Sequence, residues 1–307
     1  MSSIRTNVAA MTALQTLTQT NKELEQTQNR ISTGYRVSTA SDNAAYWSIA
    51  TTMRSDNKAL ATVRDALGLG KATVDVAYTA LEKSIDVVTE IKAKLVAARE
   101  PGVDRGKIQS EINELQNQLQ SIATSASFSG ENWLSVDSSA AGYNSTKTVV
   151  ASFTRTGNSV SIGTISININ NIKLFDGNAA ASGILDKDRA LASAGTFTVA
   201  TLDISGLTDA AADLQDLEAI ISGVDAAITE MTTAASDLGA GKKRIEMQDD
   251  FISALMDAID RGVSQLVDAD MNAESTRLKA LQTQQQLGVQ ALSIANASSQ
   301  TILSLFR

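Results

Sequence analysis

Leu60, Leu67, Val74, Leu81, Val88 and Leu95 stand seven residues apart. Val63, Ala77 and Ile91 occupy the second position of the same repeat, with Gly70 and Ser84 as weaker members. A repeat of this kind keeps one narrow apolar seam against a partner helix. Residues 60–95 are therefore committed to one long helix that is packed along its length, most simply in a bundle within the chain. Candidate partners lie downstream. Glu100-Pro101-Gly102 stops the helix, and Asp104 opens a third pattern at Ile108, Ile112, Leu115, Leu119 and Ile122. That stretch is short enough to return antiparallel along half of its partner. Much later, Leu214, Leu217, Ile221, Val224, Ile228, Met231 and Leu238 step by three and four, and Ile245, Ile252, Ile259 and Leu266 continue at sevens, with Leu255 between them. The expected rod core is thus Leu60, Leu67, Val74, Leu81, Val88, Leu95, Ile112, Leu119, Ile221, Ile228, Ile245, Ile252, Ile259 and Leu266. Proline occurs once, at Pro101, as suits long helices in which interior proline costs about 3 kcal/mol.

The chain ends carry a different signal. Ala280 to Phe306 has no charged residue. It is not a membrane span, because Gln282, Gln284, Gln285, Gln286, Gln290, Asn296 and Gln300 break the run of about 20 apolar residues that a bilayer demands. Its stripe runs Leu278, Leu281, Gly288, Leu292, Ala295, Ser299, Ile302 and Phe306. Thr6 to Asn21 is equally free of charge, with Ile4, Val8, Met11, Leu14 and Leu17 as its seam. A solvated helix normally carries Lys and Glu on its outer face. Two helices without them are expected to pair with each other and to be buried among copies of the chain.

Between Asn29 and Asp42 the first helix breaks at Gly34, and Thr33, Ser38, Thr39 and Ser41 compete for backbone hydrogen bonds. Asp42 or Ser41 is the expected N-cap of the next helix. From Ser135 to Leu207 the chain turns rich in Ser, Thr, Gly and Asn. Thr148–Thr154 and Ser159–Ile169 alternate around Thr156-Gly157-Asn158 and predict a hairpin, and Thr196–Ile204 reads as another strand. The fold class expected is mainly α: a long antiparallel coiled-coil bundle made from both chain ends, with a small, mostly β domain inserted. The expected parts are residues 1–42 with 271–307 as terminal arms, 43–134 with 208–270 as the helical rod, and 135–207 as the insert.

Composition removes several functions. The chain has no cysteine and no histidine, so disulfides, the usual zinc sites and Ser-His-Asp or Cys-His catalysis are excluded. A net charge of −8 and 4% aromatics argue against nucleic acid, which needs Lys and Arg for phosphates and rings for bases. Asp268 and Asp270 are two apart and do not face each other on a helix, so they read as solvated or capping acids. Lys242-Lys243-Arg244 reads as a solvated face, and Gly68-Leu69-Gly70-Lys71 lacks P-loop spacing. Asn144-Ser145-Thr146 and Asn296-Ala297-Ser298 match the glycosylation pattern by chance. No catalytic, metal or cofactor site is expected. Met1-Ser2-Ser3-Ile4-Arg5 has no apolar h-region, so the expectation is a chain that stays inside or leaves without a cleaved signal.

Ile31-Ser32-Thr33-Gly34-Tyr35-Arg36-Val37, followed by Ala40-Ser41-Asp42-Asn43-Ala44-Ala45, resembles the block after the first helix of bacterial flagellins. Gln286-Leu287-Gly288, Ala295-Asn296 and Ile302-Leu303-Ser304-Leu305-Phe306-Arg307 resemble the flagellin carboxyl end. The likeness covers roughly the first 135 and last 100 residues and is greatest to α-proteobacterial flagellins of the rhizobial type. It implies a non-enzymatic structural subunit of the swimming filament, whose arms line the inner tube and whose insert faces outward. The polymer contacts expected are Ile4, Val8, Met11, Leu14, Leu17, Leu281, Gly288, Leu292, Ala295, Ile302, Leu303 and Phe306. The arms would order on incorporation. The implied partners are further copies or other flagellins, the flagellar export apparatus and its chaperone, the filament cap and the hook-junction proteins, with no nucleic acid and no membrane insertion. The implied location is the extracellular filament. Residues 29–50 match the segment plant receptors detect, but Ser41, Asn43, Tyr46 and Trp47 depart from it. Glu90 and Lys94 depart from the patch animal receptors read, while Glu111 keeps the family's acid. Weak detection by both is implied. A hook–filament junction protein shares the same helical ends, and an enzyme or glycan-binding module in residues 135–207 is the alternative from another class.

Overall fold

A computed structural model describes residues 7–305 apart from 158, 179 and 180, and leaves the side chains of 299–305 undescribed. Among the described residues there are five α-helices: α1 (Val8–Thr33), α2 (Ala44–Ala97), α3 (Arg105–Ser125), α4 (Ala211–Val267) and α5 (Met271–Leu305). Among the described residues eight strands fall between α3 and α4, six of them two residues long. β1 (Ser127–Phe128) pairs antiparallel with β2 (Glu131–Asn132), and β3 (Ser135–Val136) pairs parallel with β6 (Phe175–Asp176). β4 (Thr146–Thr156) and β5 (Ser159–Asn168) form the expected hairpin, and β7 (Arg189–Ala190) pairs with β8 (Thr196–Phe197). The chain divides into two compact units, Met1–Lys58 with Met256–Arg307 and Ala59–Leu255.

In the second unit the heptad of α2 is the core. Leu67, Val74, Leu81, Val88, Ile91 and Leu95 are fully buried, as is the weak member Ser84. α4 runs antiparallel to this seam. Lys71 meets Glu246 at 3.1 Å, Lys242 meets Asp75 at 2.7 Å, Lys92 meets Asp225, and Arg99 meets Glu218 at 2.7 Å. The residue numbers in every pair add to the same total, so one register holds along the whole contact. Half-exposed pairs of this kind set register more than stability. Gly70 is a seam member without a side chain because β4 crosses it: a Cβ there would lie 2.3 Å from Val149 Cγ1.

Two expected seams are rotated, those of α4 and α3. On α4 the buried row is Leu217, Ile220, Val224, Ala227, Met231, Ala234, Leu238, Ile245 and Ile252. Ile221 and Ile228 are only half-buried, because the second seam position is filled by Ile220 and by the alanines, one residue earlier. On α3 the row is Arg105, Gln109, Ile112, Leu119 and Ala123, which leaves Ile108, Leu115 and Ile122 at its flank. Polar residues occupy that row because they satisfy a loop. Gln109 donates to Leu202 O at 3.1 Å and accepts from Ile204 N at 2.9 Å, and Gln116 donates to Val199 O at 3.1 Å. The loop takes this form because Thr198 accepts from Thr201 N and turns the chain into a 3-10 segment at Val199–Thr201. The strand expected over Thr196–Ile204 is therefore limited to Thr196–Phe197.

A buried polar hub holds the small strands together. Lys173 and Asp176 are 4% and 5% exposed. Lys173 Nζ donates to Asp176 Oδ2 at 2.6 Å and to Ser182 Oγ at 2.7 Å. Ser182 and Ser138 hydroxyls donate to the same carboxylate at 2.6 and 2.8 Å, and the Ser138 N–H adds a bond of 2.8 Å. Burial opposes the charged form of Asp176, but the Lys173, Ser182 and Ser138 donors outweigh it and hold its pKa well below the usual carboxylate range. Asp186, which accepts from Asp176 N at 2.6 Å, is pushed up by burial.

In the first unit, Val37, Ala50, Val263 and Val267 form a buried cluster against which Met53, Ile259 and Leu266 pack while half-exposed. The break after α1 is closed by the break after α4. Arg36 and Val37 donate their N–H groups to Val267 O, and Ala269 N donates to Gly34 O. Gly34 ends α1 in the left-handed region at φ +75°, where a Cβ is penalised. The expected cap of α2 is displaced by one residue. Asn43 Oδ1 accepts from Tyr46 N at 3.1 Å, whereas Asp42 turns back to accept from the N–H groups of Ser38 and Thr39 at 3.0 and 2.9 Å. Those bonds lower the Asp42 pKa.

Candidate functional site: the terminal helix pair

α1 and α5 lie antiparallel. Asn7 caps α1 by accepting from Ala10 N at 3.0 Å, and its amide donates to Ala295 O at 2.9 Å. Further along, a Cβ on Gly288 would lie 3.3 Å from Leu17 Cδ1. Gln285 donates to Asn21 at 2.8 Å, and Arg30 Nη1 meets Glu274 Oε1 at 2.9 Å. Among the described residues, charge is thus confined to one end of the pair, and the other end is joined by amides and apolar contact.

The covered row on α1 is Ala10, Ala13, Leu17, Thr20, Leu24, Thr27 and Ile31. Thr20 tolerates burial because its hydroxyl donates back to Thr16 O at 2.9 Å. On α5 the row is Glu274, Leu278, Leu281, Gln285, Gly288, Leu292 and Ala295. Leu281, Gly288, Leu292 and Ala295 therefore face α1 of the same chain, and Leu17 faces α5. The other members of the α1 seam read from sequence point outward: Val8, Met11 and Leu14 are 68%, 63% and 54% exposed. The covered row prevails because it repeats along the whole helix to Ile31, whereas the Val8–Leu14 row stops before the charged residues begin at Lys22. Leu287, Val289 and Ile294 on α5 are also exposed, Ile294 at 70%. These three lie off the stripe read from the sequence, although lack of charge around the whole helix was the signal for an exposed apolar face. Ile4 and Phe306 lie outside the described residues, as do the side chains of Ile302 and Leu303.

Residues 4–139 match the family model described as the bacterial flagellin N-terminal helical region, and residues 221–306 match the C-terminal helical region. Over their full lengths, the chain is 55% identical to Flagellin C and 45% identical to Flagellin A, both of Rhizobium meliloti, and 47% identical to a flagellin of Brucella melitensis.

The chain belongs to the bacterial flagellin family.

A flagellin is the structural subunit of the flagellar filament, and nothing in the fold favours the hook-junction alternative. In this flagellin Ser41, Asn43, Glu90 and Lys94 have distinct local settings. Ser41 is exposed and shares a hydrogen bond with Thr39 at 2.7 Å, and Asn43 serves as the cap of α2. Glu90 is exposed. Lys94 is held by Glu111 at 2.5 Å, which raises the Lys94 pKa. Among the described residues no helix is long and apolar enough to cross a membrane.

Proposed function

We propose that this flagellin polymerises through the outward faces of its terminal helix pair, with residues 1–42 and 271–307 lining the inner tube, 43–134 with 208–270 around it, and 135–207 outside. The observation that carries this reading is the pairing geometry. α1 and α5 consume one row each and still present Val8, Met11 and Leu14, and Leu287, Val289 and Ile294, on a surface without charge. Burying such side chains contributes about 1.5–3 kcal/mol each, which many copies supply at once. Contacts between unlike surfaces build an open helix. The role is structural and not catalytic. Family membership supports export to the outside of the cell and contact with the export apparatus and its chaperone, the filament cap and the hook-junction proteins. Ser41, Asn43, Glu90 and Lys94 support weak detection by innate receptors.

Deletion of residues 295–307 removes the Asn7–Ala295 tie and the end of α5. Circular dichroism is expected to show a helical monomer, while sedimentation shows no polymer. Filaments of ordinary yield from the shortened chain would refute the assignment.

A further inference from the structure

Among the described residues Met11 is the most exposed methionine, at 63%, ahead of Met247 at 57% and Met271 at 43%. Its setting differs from theirs. Met247 stands among Lys243, Arg244 and Asp250, all exposed. Met271 follows Asp270 directly and precedes Glu274 by a turn. Met11 instead has Val8 and Leu14 a turn to either side, both exposed, in a stretch without charge from Thr6 to Asn21. The most accessible thioether therefore lies in the middle of the outward face of α1.

A thioether is apolar and polarizable, and packs well in such a face. A hydroperoxide changes it. The sulfur lone pair attacks the distal peroxide oxygen, the O–O bond breaks and an S–O bond forms. The leaving oxygen takes up a proton and departs as water or alcohol. Sulfur is oxidised and the peroxide reduced, and the product is a polar, chiral sulfoxide. A sulfoxide oxygen that is buried needs a donor. The hydroxyls of α1 are committed to its own backbone: Thr12 donates to Val8 O at 3.0 Å, Thr16 to Thr12 O at 3.0 Å and Thr18 to Leu14 O at 2.8 Å. The Asn7 amide donates to Ala295 O at 2.9 Å. Gln15, a turn after Met11, is exposed and offers an amide to part of that oxygen's capacity.

We propose that Met11 is a modification site, at which oxidation by a hydroperoxide holds the subunit back from the polymer and reduction releases it. The inference rests on the polymerising role given above to the outward face of α1, and adds a control on it. Oxidation acts on the free subunit, where Met11 meets solvent. It is withheld after incorporation, when the neighbouring copies cover the thioether. The charged surroundings of Met247 and Met271 accommodate the added dipole.

The full-length chain, treated with hydrogen peroxide until Met11 is partly oxidised, is offered short seeds and sedimented. Peptide mass spectrometry is expected to find Met11 sulfoxide enriched about tenfold or more in the supernatant over the pellet. The sulfoxides of Met247 and Met271 are expected to divide evenly. Methionine sulfoxide reductases, one for each epimer, are expected to return the supernatant protein to the polymer. Met11→Leu is expected to keep its critical concentration after peroxide, and Met11 in finished filaments to oxidise more slowly than in the monomer. An even division of Met11 sulfoxide overturns the site and leaves the filament role intact, as does peroxide sensitivity retained in Met11→Leu. Equal rates of Met11 oxidation in monomer and filament overturn its covering. An untreated chain that forms no filament on seeds overturns both the site and the role.

Discussion

Lys173→Met is expected to destabilise the second unit by about 3–5 kcal/mol, as when one partner of a buried ion pair is removed. The methionine fills most of the lysine's volume but leaves the Asp176 carboxylate buried without its cation. Ser138 and Ser182 still donate to it, so the carboxylate is weakened in support and not orphaned. Adding Asp176→Asn removes the uncompensated charge, and the double variant is expected to be more stable than the sum of the two single losses. Urea unfolding followed by Trp133 emission, in a Trp47→Phe background, measures all three. Additive losses would show that the pair is not coupled. The hub also sets a pH dependence. The Asp176 pKa is lower in the folded chain than its ordinary value of 3.8, so its contribution is present above about pH 4 and is lost as pH falls through the folded value. Asp186 is shifted the other way. Its contribution is present below its ordinary value and lost as pH rises toward the folded one. Acid destabilisation of the unit is therefore expected to flatten in Asp176→Asn, whereas Asp186→Asn is expected to raise stability at neutral pH.

Leu14→Asp is expected to raise the critical concentration for polymerisation on the order of a hundredfold or more. Loss of the leucine contribution of about 1.5–3 kcal/mol alone accounts for one to two decades, and an uncompensated carboxylate in an uncharged interface adds to it. Leu14 is 54% exposed in the single chain, so the monomer is expected to keep its helix content and its unfolding profile. Leu17→Asp is the contrasting variant. It places the charge against Gly288 inside the pair, and is expected to loosen α1 from α5 in the monomer as well. Equal effects of the two variants on the monomer would remove the distinction between inward and outward faces.

How much of this was legible depended on the chemistry of each row. The α2 heptad could be read residue by residue because Leu and Val recur there without competition, and every member from Leu60 to Leu95 is buried. α3 could not, since Gln109 and Gln116 face inward to bond carbonyl groups of a loop some ninety positions away. Apolar periodicity has no term for a buried amide with a partner. On α4, Ala227 and Ala234 hold positions that a search for larger residues gives to their neighbours. α1 carries two usable rows, and only the presence of α5 decides which one is covered. The Lys173–Asp176 hub was invisible because Ser138 and Ser182 reach it only after the loops have folded. The break between the terminal helices was readable in outline from Gly34 and Asp268-Ala269-Asp270. Its joining through Val267 O, and the cap at Asn43, were not.

Seeded polymerisation of the purified full-length chain, followed by sedimentation and electron microscopy, tests the filament role most directly. Growth of filaments from short seeds, with monomer depleted to a fixed critical concentration, is the expected result. Protein that stays soluble and monomeric with seeds in excess would contradict it.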